Sequence, residues 1–274
     1  MRGRYLRRLR TLSLYRERTM RYFALATDYD STLARDGQVP DDVFAALQRL
    51  KASGRSLILV TGRELEDLRS VCPDLDIFDR VVAENGAIIF DPASGETDGA
   101  SRPVPDALIE ELKRRRIQPL RRSEVIVSTR EPNDAAVLEA IRELGLELQV
   151  IFNKGAVMVL PAGVTKATGL ARALESLDLS AHNVVGIGDA ENDHAFLDLC
   201  EVSVAVANAL PRVKERADLV TKGAAGDGVI EIIDQILADD LERLSARIRR
   251  HDLRLGETPR GRSIVVPAAG PNLL

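Results

Sequence analysis

The stretch YFALATDYDSTL, residues 22–33, places two carboxylates directly behind a short apolar run. The run 22–27 has the length and composition of a strand buried on both faces. Because Asp28 and Asp30 follow it two residues apart, both carboxylates can be aimed at one point. Such a pair can take two roles if the environments of the two carboxylates differ. One carboxylate attacks or binds metal, and the other transfers protons.

Comparable apolar runs recur along the chain and alternate with helical patterns. The runs lie at 22–27, 56–60, 81–83, 183–187, 202–206 and 219–221, and the helical patterns at 40–53, 164–177, 191–199, 209–217 and 227–237. Near-continuous Val, Ile and Leu strands alternating with helices are typical of a parallel sheet covered on both faces. The sequence therefore predicts an α/β fold whose core is a doubly wound, Rossmann-like parallel sheet.

The middle of the chain follows a different pattern. Hairpins are predicted at 86–103 and 146–160, a further strand at 124–129, and helices at 105–116 and 133–144. This α+β pattern of antiparallel pairs lies between two parts of a parallel sheet. It predicts a second domain at 85–160, inserted into a core made of 20–84 and 161–237.

Composition excludes several classes of protein. The 274 residues carry a formal net charge of −4, with 45% hydrophobic and 29% charged residues, an ordinary globular balance. No apolar run reaches the roughly 18 residues of a membrane span. Cys72 and Cys200 are too few for a disulfide framework or a cysteine zinc site. With 4% aromatics and no Trp, a base-stacking surface is not expected. We therefore expect no nucleic-acid and no membrane partner; the oligomeric state stays open.

The first 19 residues form a basic N-terminal extension. Residues 1–21 hold eight Arg and one Glu. An Arg-rich, acid-poor head is also typical of an organelle transit peptide, but it lacks the apolar stretch of a secretory signal. Because Met20 opens a clean apolar run, we favour a weakly ordered extension and a cytoplasmic protein.

Three further polar clusters fall where predicted strands end or helices begin. They are Thr61-Gly62-Arg63, Lys166, and Gly188-Asp189-Ala190-Glu191-Asn192-Asp193. Ligands bind at the carboxyl ends of the strands in open α/β sheets. The first cluster offers a hydroxyl and backbone amides at a helix start, which suits an anion. The last offers carboxylate oxygens, the ligands that Mg²⁺ prefers.

Taken singly, each cluster has a structural explanation. An Asp after a strand often forms a turn or caps a helix, and a lone Lys is usually solvated. The Gly-Ile-Gly at 186–188 is not a dinucleotide fingerprint, because Glu191 stands where the third glycine is required. The ordered set of all four clusters, each beside a strand or a helix start, is the stronger signal.

The set resembles the motifs of the haloacid dehalogenase (HAD) superfamily of phosphatases, in its Cof-like, type IIB branch. Asp28-Tyr-Asp30-Ser-Thr-Leu is similar to the first motif, with Ser31 where Gly is usual. Thr61-Gly62-Arg63, Lys166 and Gly188-Asp189-x-x-Asn192-Asp193 are similar to the second, third and fourth. Glu84-Asn85-Gly86 matches a segment typical of this branch. The resemblance covers about 20–236 and implies an inserted α+β cap at 85–160.

The resemblance implies a role for each catalytic residue. Asp28 is the expected nucleophile and forms an aspartyl-phosphate. Asp30 protonates the leaving alcohol and then activates water. Thr61 and Lys166 hold the phosphoryl oxygens, since phosphoryl transfer depends on fixed donors and charge stabilisation.

The resemblance also implies a magnesium site and further substrate contacts. The expected metal-binding residues are Asp28, Asp30, Asp189 and Asp193. The expected substrate-binding residues are Thr61, Gly62, Arg63, Lys166 and Asn192. Mg²⁺ and Lys166 would bring the carboxylate and the phosphate together against their repulsion.

The expected function is Mg²⁺-dependent hydrolysis of a small phosphorylated metabolite, with a sugar phosphate favoured. One alternative is a phosphoglycolate-type phosphatase, because the inserted domain is small for this branch. Another is a non-catalytic sensor of a phosphorylated ligand, fused to a P-loop ATPase. The complete pair of Asp28 and Asp30 argues against the sensor, since a binder does not need the second acid.

A basic cluster in the inserted domain has two interpretations. Lys113 to Arg116 end a predicted helix, and Arg121 and Arg122 follow closely. Cations at a helix C-terminus commonly offset its dipole. The alternative is that they attract an anionic substrate.

The tail, 238–274, is predicted to contain an amphipathic helix over 239–255 and a strand-like run at 262–267. A chain that ends in an apolar run leaves apolar surface and edge groups exposed. One hypothesis is therefore a longer protein with a fused C-terminal domain such as a P-loop ATPase. The other is that the tail packs on the core or on a second copy.

Overall fold

Two sheets contain most of the strands in this computed structural model, which describes residues 20–99, 103–153, 155–247, 253–257 and 263–266. The predicted extension at 1–19 lies outside these residues. The large sheet has eight strands: β1 Ala24–Thr27, β2 Ser56–Val60, β3 Arg80–Ala83, β4 Ile88–Phe90, β5 Thr97–Gly99, β10 Val184–Gly188, β11 Val202–Ala205 and β12 Leu219–Val220. The small sheet has four: β6 Arg121–Arg122, β7 Val127–Arg130, β8 Leu148–Asn153 and β9 Ala156–Pro161.

Amphipathic helices cover these sheets. Their bounds are α1 Asp41–Ala52, α2 Leu65–Val71, α3 Asp106–Arg114, α4 Asp134–Glu143, α5 Lys166–Ser176, α6 His194–Leu199, α7 Pro211–Arg216 and α8 Gly226–Asp239. In α1, the residues at helical spacing, Val43, Ala46, Leu47 and Leu50, are the buried ones. Among the described residues, no helix has the length and apolar character that a membrane crossing needs.

The large sheet runs in the order β12-β11-β10-β1-β2-β3-β4-β5 and is parallel from β12 to β3. From β1 the chain proceeds outward through β2 and β3, and later returns to the other side of β1 as β10. The strand order therefore reverses between β1 and β10. A crevice at the carboxyl ends of the strands is expected at this point. The predicted doubly wound parallel core is confirmed.

The predicted first hairpin forms, but it belongs to the large sheet and not to the inserted domain. A turn at Glu84–Gly86 reverses the chain, so β4 pairs antiparallel with β3 and β5 with β4. The φ angles of Glu84, Asn85 and Gly86 are 52°, 54° and 101°. This run of left-handed residues produces the reversal. The boundary expected at residue 85 is therefore corrected: 88–99 extend the core sheet.

The small sheet is antiparallel, with the order β6-β7-β9-β8. One face packs against α3 and α4 in a separate apolar cluster that includes Leu108, Leu112 and Val137. The other face supplies Ile126, Met158 and Leu160 to the main core. The small sheet therefore lies between its own two helices and the large sheet.

The helix predicted over 239–255 is wrong. Helix α8 ends at Asp239 because Asp240 and Leu241 have φ angles of 55° and 61°. A short 3₁₀ helix follows at Glu242–Arg247, and then two antiparallel strands, β13 Leu253–Glu257 and β14 Ser263–Val266. The remainder of the tail lies outside the described residues.

A nearly buried ion cluster stabilises the end of α8. Asp240 accepts hydrogen bonds from Nη2 of Arg55 at 2.9 Å and from the backbone amide of Arg21 at 2.5 Å. The Arg55 side chain is 9% exposed, so loss of the carboxylate leaves its charge poorly compensated.

We expect Asp240→Asn to lower the free energy of unfolding by about 1–3 kcal/mol, because it removes the charge that pairs with Arg55. Asn tolerates the left-handed backbone, so the chain direction is kept. Denaturant unfolding measures the change. The control is Asp234→Asn, which removes an exposed partner of Arg49 on the same helix and should change stability by less than about 0.5 kcal/mol. Equal effects of the two substitutions would contradict a special role of the Asp240 cluster.

Candidate active site

Asp28 lies at the carboxyl end of β1, at the point where the strand order reverses. Its backbone amide donates to the carbonyl of Ile187 in β10 at 3.0 Å, which holds the start of the loop after β1 against β10. The side chain is 5% exposed. The sequence thus buries a carboxylate at the crevice of the sheet.

Lys166 reaches Asp28 from the first residue of α5. Thr165 caps this helix, since its hydroxyl accepts from the amide of Thr168 and the Thr168 hydroxyl accepts from the amide of Thr165. The helix start packs directly on Gly86, where a Cβ would lie 2.0 Å from the carbonyl oxygen of Thr165. Only glycine allows this approach, which directs the lysine into the crevice.

The Lys166 ammonium bridges two carboxylates. Its Nζ donates to Oδ1 of Asp28 at 2.5 Å and to Oδ1 of Asp193 at 2.6 Å, and all three residues are buried. Burial lowers the pKa of Lys166, but the Asp193 and Asp28 carboxylates outweigh it and hold that pKa above its usual range. Burial raises the pKa of Asp28 to about 7; the Asp193 carboxylate adds to the rise and Lys166 opposes it. Lys166 therefore stays charged at neutral pH.

The Asp193 side chain holds the loop after β10 in place. Its Oδ2 accepts from the backbone amides of Asp189 and Ala190 at 2.8 and 2.9 Å, while Oδ1 contacts Lys166. A Cβ on Gly188 would lie 2.7 Å from Asp193 Oδ2, so glycine is needed beside it. Both Asp193 oxygens are thus engaged within the protein.

The three carboxylates of Asp28, Asp189 and Asp193 offer oxygens that all lie within 4.8 Å of one another. Three buried carboxylates beside one ammonium carry excess negative charge, which is costly without a further cation. Hard carboxylate oxygens converging on one point suit Mg²⁺. The residues therefore fit a divalent cation, with Asp28 and Asp189 best placed to ligate it and Asp193 to orient them.

Asp30 lies apart from this cluster. Arg63 donates to both of its carboxylate oxygens, from Nε to Oδ2 and from Nη2 to Oδ1, each at 2.8 Å. The Asp30 side chain is 40% exposed. Asp30 was expected among the metal-binding residues, but its carboxylate is held by Arg63 and does not share the cluster. Asp30 lines a small cavity together with Asp28 and Asp189.

Thr61 and Gly62 lie at the carboxyl end of β2. The Thr61 hydroxyl is buried and accepts from the amide of Arg63 at 3.1 Å, which shapes the loop. A Cβ on Gly62 would lie 3.1 Å from Asn85 Oδ1. Gly62 and Arg63 line a cavity of about 150 Å³, together with Asp28, Asp30, Asp189 and Asn192.

Two residues that contact the site, Thr32 and Asn85, were not among the predicted site residues. Thr32 donates from Oγ1 to Asp189 Oδ1 at 3.3 Å. Asn85 accepts from Nδ2 of Asn192 at 3.0 Å and donates to Sδ of Met158 in the small sheet at 3.1 Å. Asn85 follows the carboxyl end of β3, so the rule that identified the other strand ends also applies to it. The Oδ1 atom of Asn192 is buried without a described partner at the edge of the cavity.

Ser31 occupies the position where glycine was expected. Its φ angle is 66°, in the left-handed region that glycine adopts without strain. The amide of Asn208 donates to its carbonyl at 2.7 Å, and its own amide donates to Ala34 at 3.1 Å. These contacts hold the loop in this conformation.

The model of the haloacid dehalogenase-like hydrolase family matches residues 25–129 and 123–233. The chain belongs to this family. It is 30% identical to a phosphoglycolate phosphatase of Methanothermobacter thermautotrophicus, over 78% of this chain and 98% of the relative. It is 31% identical to a phosphoglycolate phosphatase of Natronomonas pharaonis, over 77% and 96%.

Solved structures show the same fold. A Thermoplasma acidophilum protein aligns with a TM-score of 0.68 at 20% identity, over 79% of this chain and 98% of its own. A sugar phosphatase of HAD subclass IIB aligns with a TM-score of 0.63 at 19% identity, over 78% and 98%. The predictions of a HAD phosphatase and of an α/β core with a type IIB arrangement are confirmed.

We expect Mg²⁺ to stabilise the protein, because a cation offsets the repulsion among the three carboxylates. At 100 times its dissociation constant, the gain in free energy of unfolding should be about 2.7 kcal/mol. Thermal unfolding with and without Mg²⁺ measures it. Asp189→Asn should lose most of the gain, and Glu191→Gln, an exposed carboxylate in the same loop, should retain it. Full stabilisation of Asp189→Asn would place the cation elsewhere.

Proposed function

We propose that this chain hydrolyses phosphomonoesters of small metabolites through an aspartyl-phosphate on Asp28, with Mg²⁺ as its cofactor. The observation that carries the proposal is the buried ammonium of Lys166, which contacts Asp28 and Asp193 at 2.5 and 2.6 Å beside Asp189. A carboxylate held against a lysine in an acidic cluster suits attack on a phosphate. Membership of a hydrolase family that includes phosphatases supports it.

Asp28 is the proposed nucleophile. Lys166 contacts only its Oδ1, and the residue lines the cavity of about 150 Å³. Attack of a carboxylate oxygen forms the new bond to phosphorus as the ester P–O bond breaks. The Lys166 ammonium offsets the charge that gathers on the phosphoryl oxygens. The backbone amide of Gly62, which lines the same cavity, is proposed to hold the same oxygens.

Asp30 is the proposed acid and base. It gives its proton to the leaving alcohol in the first step. In the second it takes a proton from the water that attacks phosphorus, and the bond to Asp28 breaks. Its exposure to the cavity supports this role.

The metal site is proposed at Asp28 and Asp189, with Asp193 orienting the loop and Lys166. When bound, Mg²⁺ supplies positive charge that draws a phosphate anion to the carboxylates. Neighbouring side chains position the residues around the metal site. Thr32 fixes Asp189, and Asn85 holds Asn192 at the rim of the cavity.

The small sheet and its helices are proposed to act as a cap over this site. A cavity of about 530 Å³ lies between Gly62 and Arg63 on one side and the small sheet on the other. It has room for a leaving group as large as a sugar, which supports the expected sugar phosphate. The names of the curated relatives support phosphoglycolate instead. The sensor alternative is not favoured, because Asp28 and Asp30 are both in place.

Phosphate release from a panel of phosphomonoesters, with and without Mg²⁺, tests the proposal. The panel includes phosphoglycolate, sugar phosphates and 4-nitrophenyl phosphate. We expect Mg²⁺-dependent release that EDTA abolishes. Absence of release from every ester at neutral pH would overturn the proposed function.

Asp28→Asn should lower kcat by several orders of magnitude with little change in fold, because it removes the nucleophile but preserves the shape. Phosphate release and circular dichroism measure the two effects. The matched control is Asp67→Asn, a carboxylate on α2 that also contacts the site loop through Arg63. Near wild-type turnover by pure Asp28→Asn protein would refute the assignment.

Asp30→Asn should slow sugar phosphates more than 4-nitrophenyl phosphate, because nitrophenolate leaves with little protonation. The aspartyl-phosphate should then persist, since water activation is lost. Acid quenching with labelled substrate measures the trapped phosphoenzyme. Asp67→Asn also removes a partner of Arg63 and should trap none. Equal losses on both substrates with no trapped intermediate would exclude Asp30 as the acid and base.

A further inference from the structure

Two arginines lie on the face of the small sheet that is directed at the core. Ser128 in β7 donates to Glu64 at 3.4 Å, and Met158 in β9 contacts Asn85, so this face meets the large domain of the chain. Arg121 pairs with Ser128 and therefore shares its face. Arg130 is two residues beyond Ser128 and shares it too. The register thus places both guanidinium groups on the core side.

Arg121 and Arg130 are diagonal neighbours in adjacent strands. In antiparallel pairs such neighbours lie about 7–8 Å apart, within reach of long side chains. Both line the cavity of about 530 Å³, and neither lines the smaller cavity of about 150 Å³ that holds Asp28. The two cavities share the lining residues Gly62, Arg63, Ala156 and Met158, so they lie side by side. The arginines therefore stand beyond the catalytic carboxylates, on the side of the leaving group.

Three other arginines near these strands are engaged in ion pairs. Arg114 and Arg115 pair with Glu111, and Arg122 pairs with Asp106. Arg121 and Arg130, in contrast, have no ion pair to any described residue.

The acidic groups of the large cavity do not neutralise both arginines. Asp67 contacts Arg63 at 2.6 Å, and Asp30 pairs with the same guanidinium. Glu64 accepts from Ser128 and can offset one positive charge at most. Two guanidinium groups on one face of a cavity, with so little to balance them, favour an anion between them.

We propose that Arg121 and Arg130 bind a second anionic group of the substrate, a carboxylate or another phosphate. The inference rests on the proposed function and names its substrate class. In phosphoglycolate the carboxylate sits one carbon from the ester oxygen and stays beside the catalytic carboxylates. Because the arginines line only the outer cavity, the second anion is separated from the scissile phosphate by a longer spacer. Sugar-acid phosphates and sugar bisphosphates have this form.

Matched substrates test the inference. Gluconate 6-phosphate and glucose 6-phosphate differ in the distal carboxylate, and fructose 1,6-bisphosphate and fructose 6-phosphate in the distal phosphate. We expect at least one anionic member to exceed its neutral partner in kcat/KM by about tenfold or more, and to exceed phosphoglycolate. Whichever pair shows the larger ratio identifies the anion as carboxylate or phosphate.

Arg121→Gln and Arg130→Gln should each lower kcat/KM for the preferred anionic substrate by about tenfold, the loss of one charge-assisted hydrogen bond. The neutral partner should change by less than about threefold. Arg122→Gln is the matched control, because Arg122 lies on the other face of β6 and pairs with Asp106. It should leave both substrates unchanged.

Three results would overturn the inference while the phosphatase stands: no preference within either pair, equal losses on both members, or phosphoglycolate as the best substrate with no effect of either arginine. If no ester is hydrolysed, the proposed function fails, and binding decides the inference separately. Calorimetry of gluconate 6-phosphate and fructose 1,6-bisphosphate on the Asp28→Asn protein should then show tighter binding than the neutral partners. Equal binding within both pairs, or a preference unchanged by Arg121→Gln and Arg130→Gln, would overturn it.

Discussion

The buried contact of Lys166 with Asp28 and Asp193 is the constraint on which the rest of the site depends. Three carboxylates within 4.8 Å of one another are unfavourable in a dry crevice unless cations offset them. The chain supplies one ammonium, that of Lys166 in the first turn of α5. This ammonium must lie at hydrogen-bond distance from the carboxylates, because a buried charge without a close partner is unfavourable. Helix α5 is therefore required to start where it does, directly against the turn that ends β3.

The required position of α5 also explains two glycines and one turn of the backbone. Gly86 is needed because the carbonyl of Thr165 would lie 2.0 Å from any Cβ placed there, and Gly188 because Asp193 packs against it. The left-handed turn at 84–86 both admits α5 and sends the chain back as β4. Asn85 in the same turn contacts Asn192 and Met158. One turn thus positions the lysine, widens the large sheet and joins the catalytic loop to the small sheet.

The sequence predicts which residues lie at the strand ends better than it predicts the structure of the segments between the strands. Asp28, Thr61 and Asp189 could be placed together because the carboxyl ends of parallel strands meet at one edge. The hairpin at 88–99 could be recognised as a hairpin, but its turn residues do not specify which sheet it joins. The tail helix was wrong because Asp240, in an ion cluster with Arg55, adopts a left-handed conformation that a helical pattern does not reveal. The split between Asp30 and the metal cluster depends on Arg63, and side-chain pairing of this kind is settled only in three dimensions.

Arg121 and Arg122 show why substrate selection is harder to predict than catalysis. They are adjacent in sequence and identical in type, yet the period of two in a strand turns one toward the cavity and the other toward Asp106 and α3. Helical runs such as Arg114 and Arg115 pair with glutamates of their own helix or its neighbour, as the dipole interpretation expects. Arg130 gives no signal of its own, because its face is defined only once β7 is in register with β6 and β9. Catalytic residues are constrained by the core sheet and can be found from their order along the chain. Residues that contact the leaving group are constrained by the register of the small sheet. A register shift of one residue would move each of their side chains to the other face.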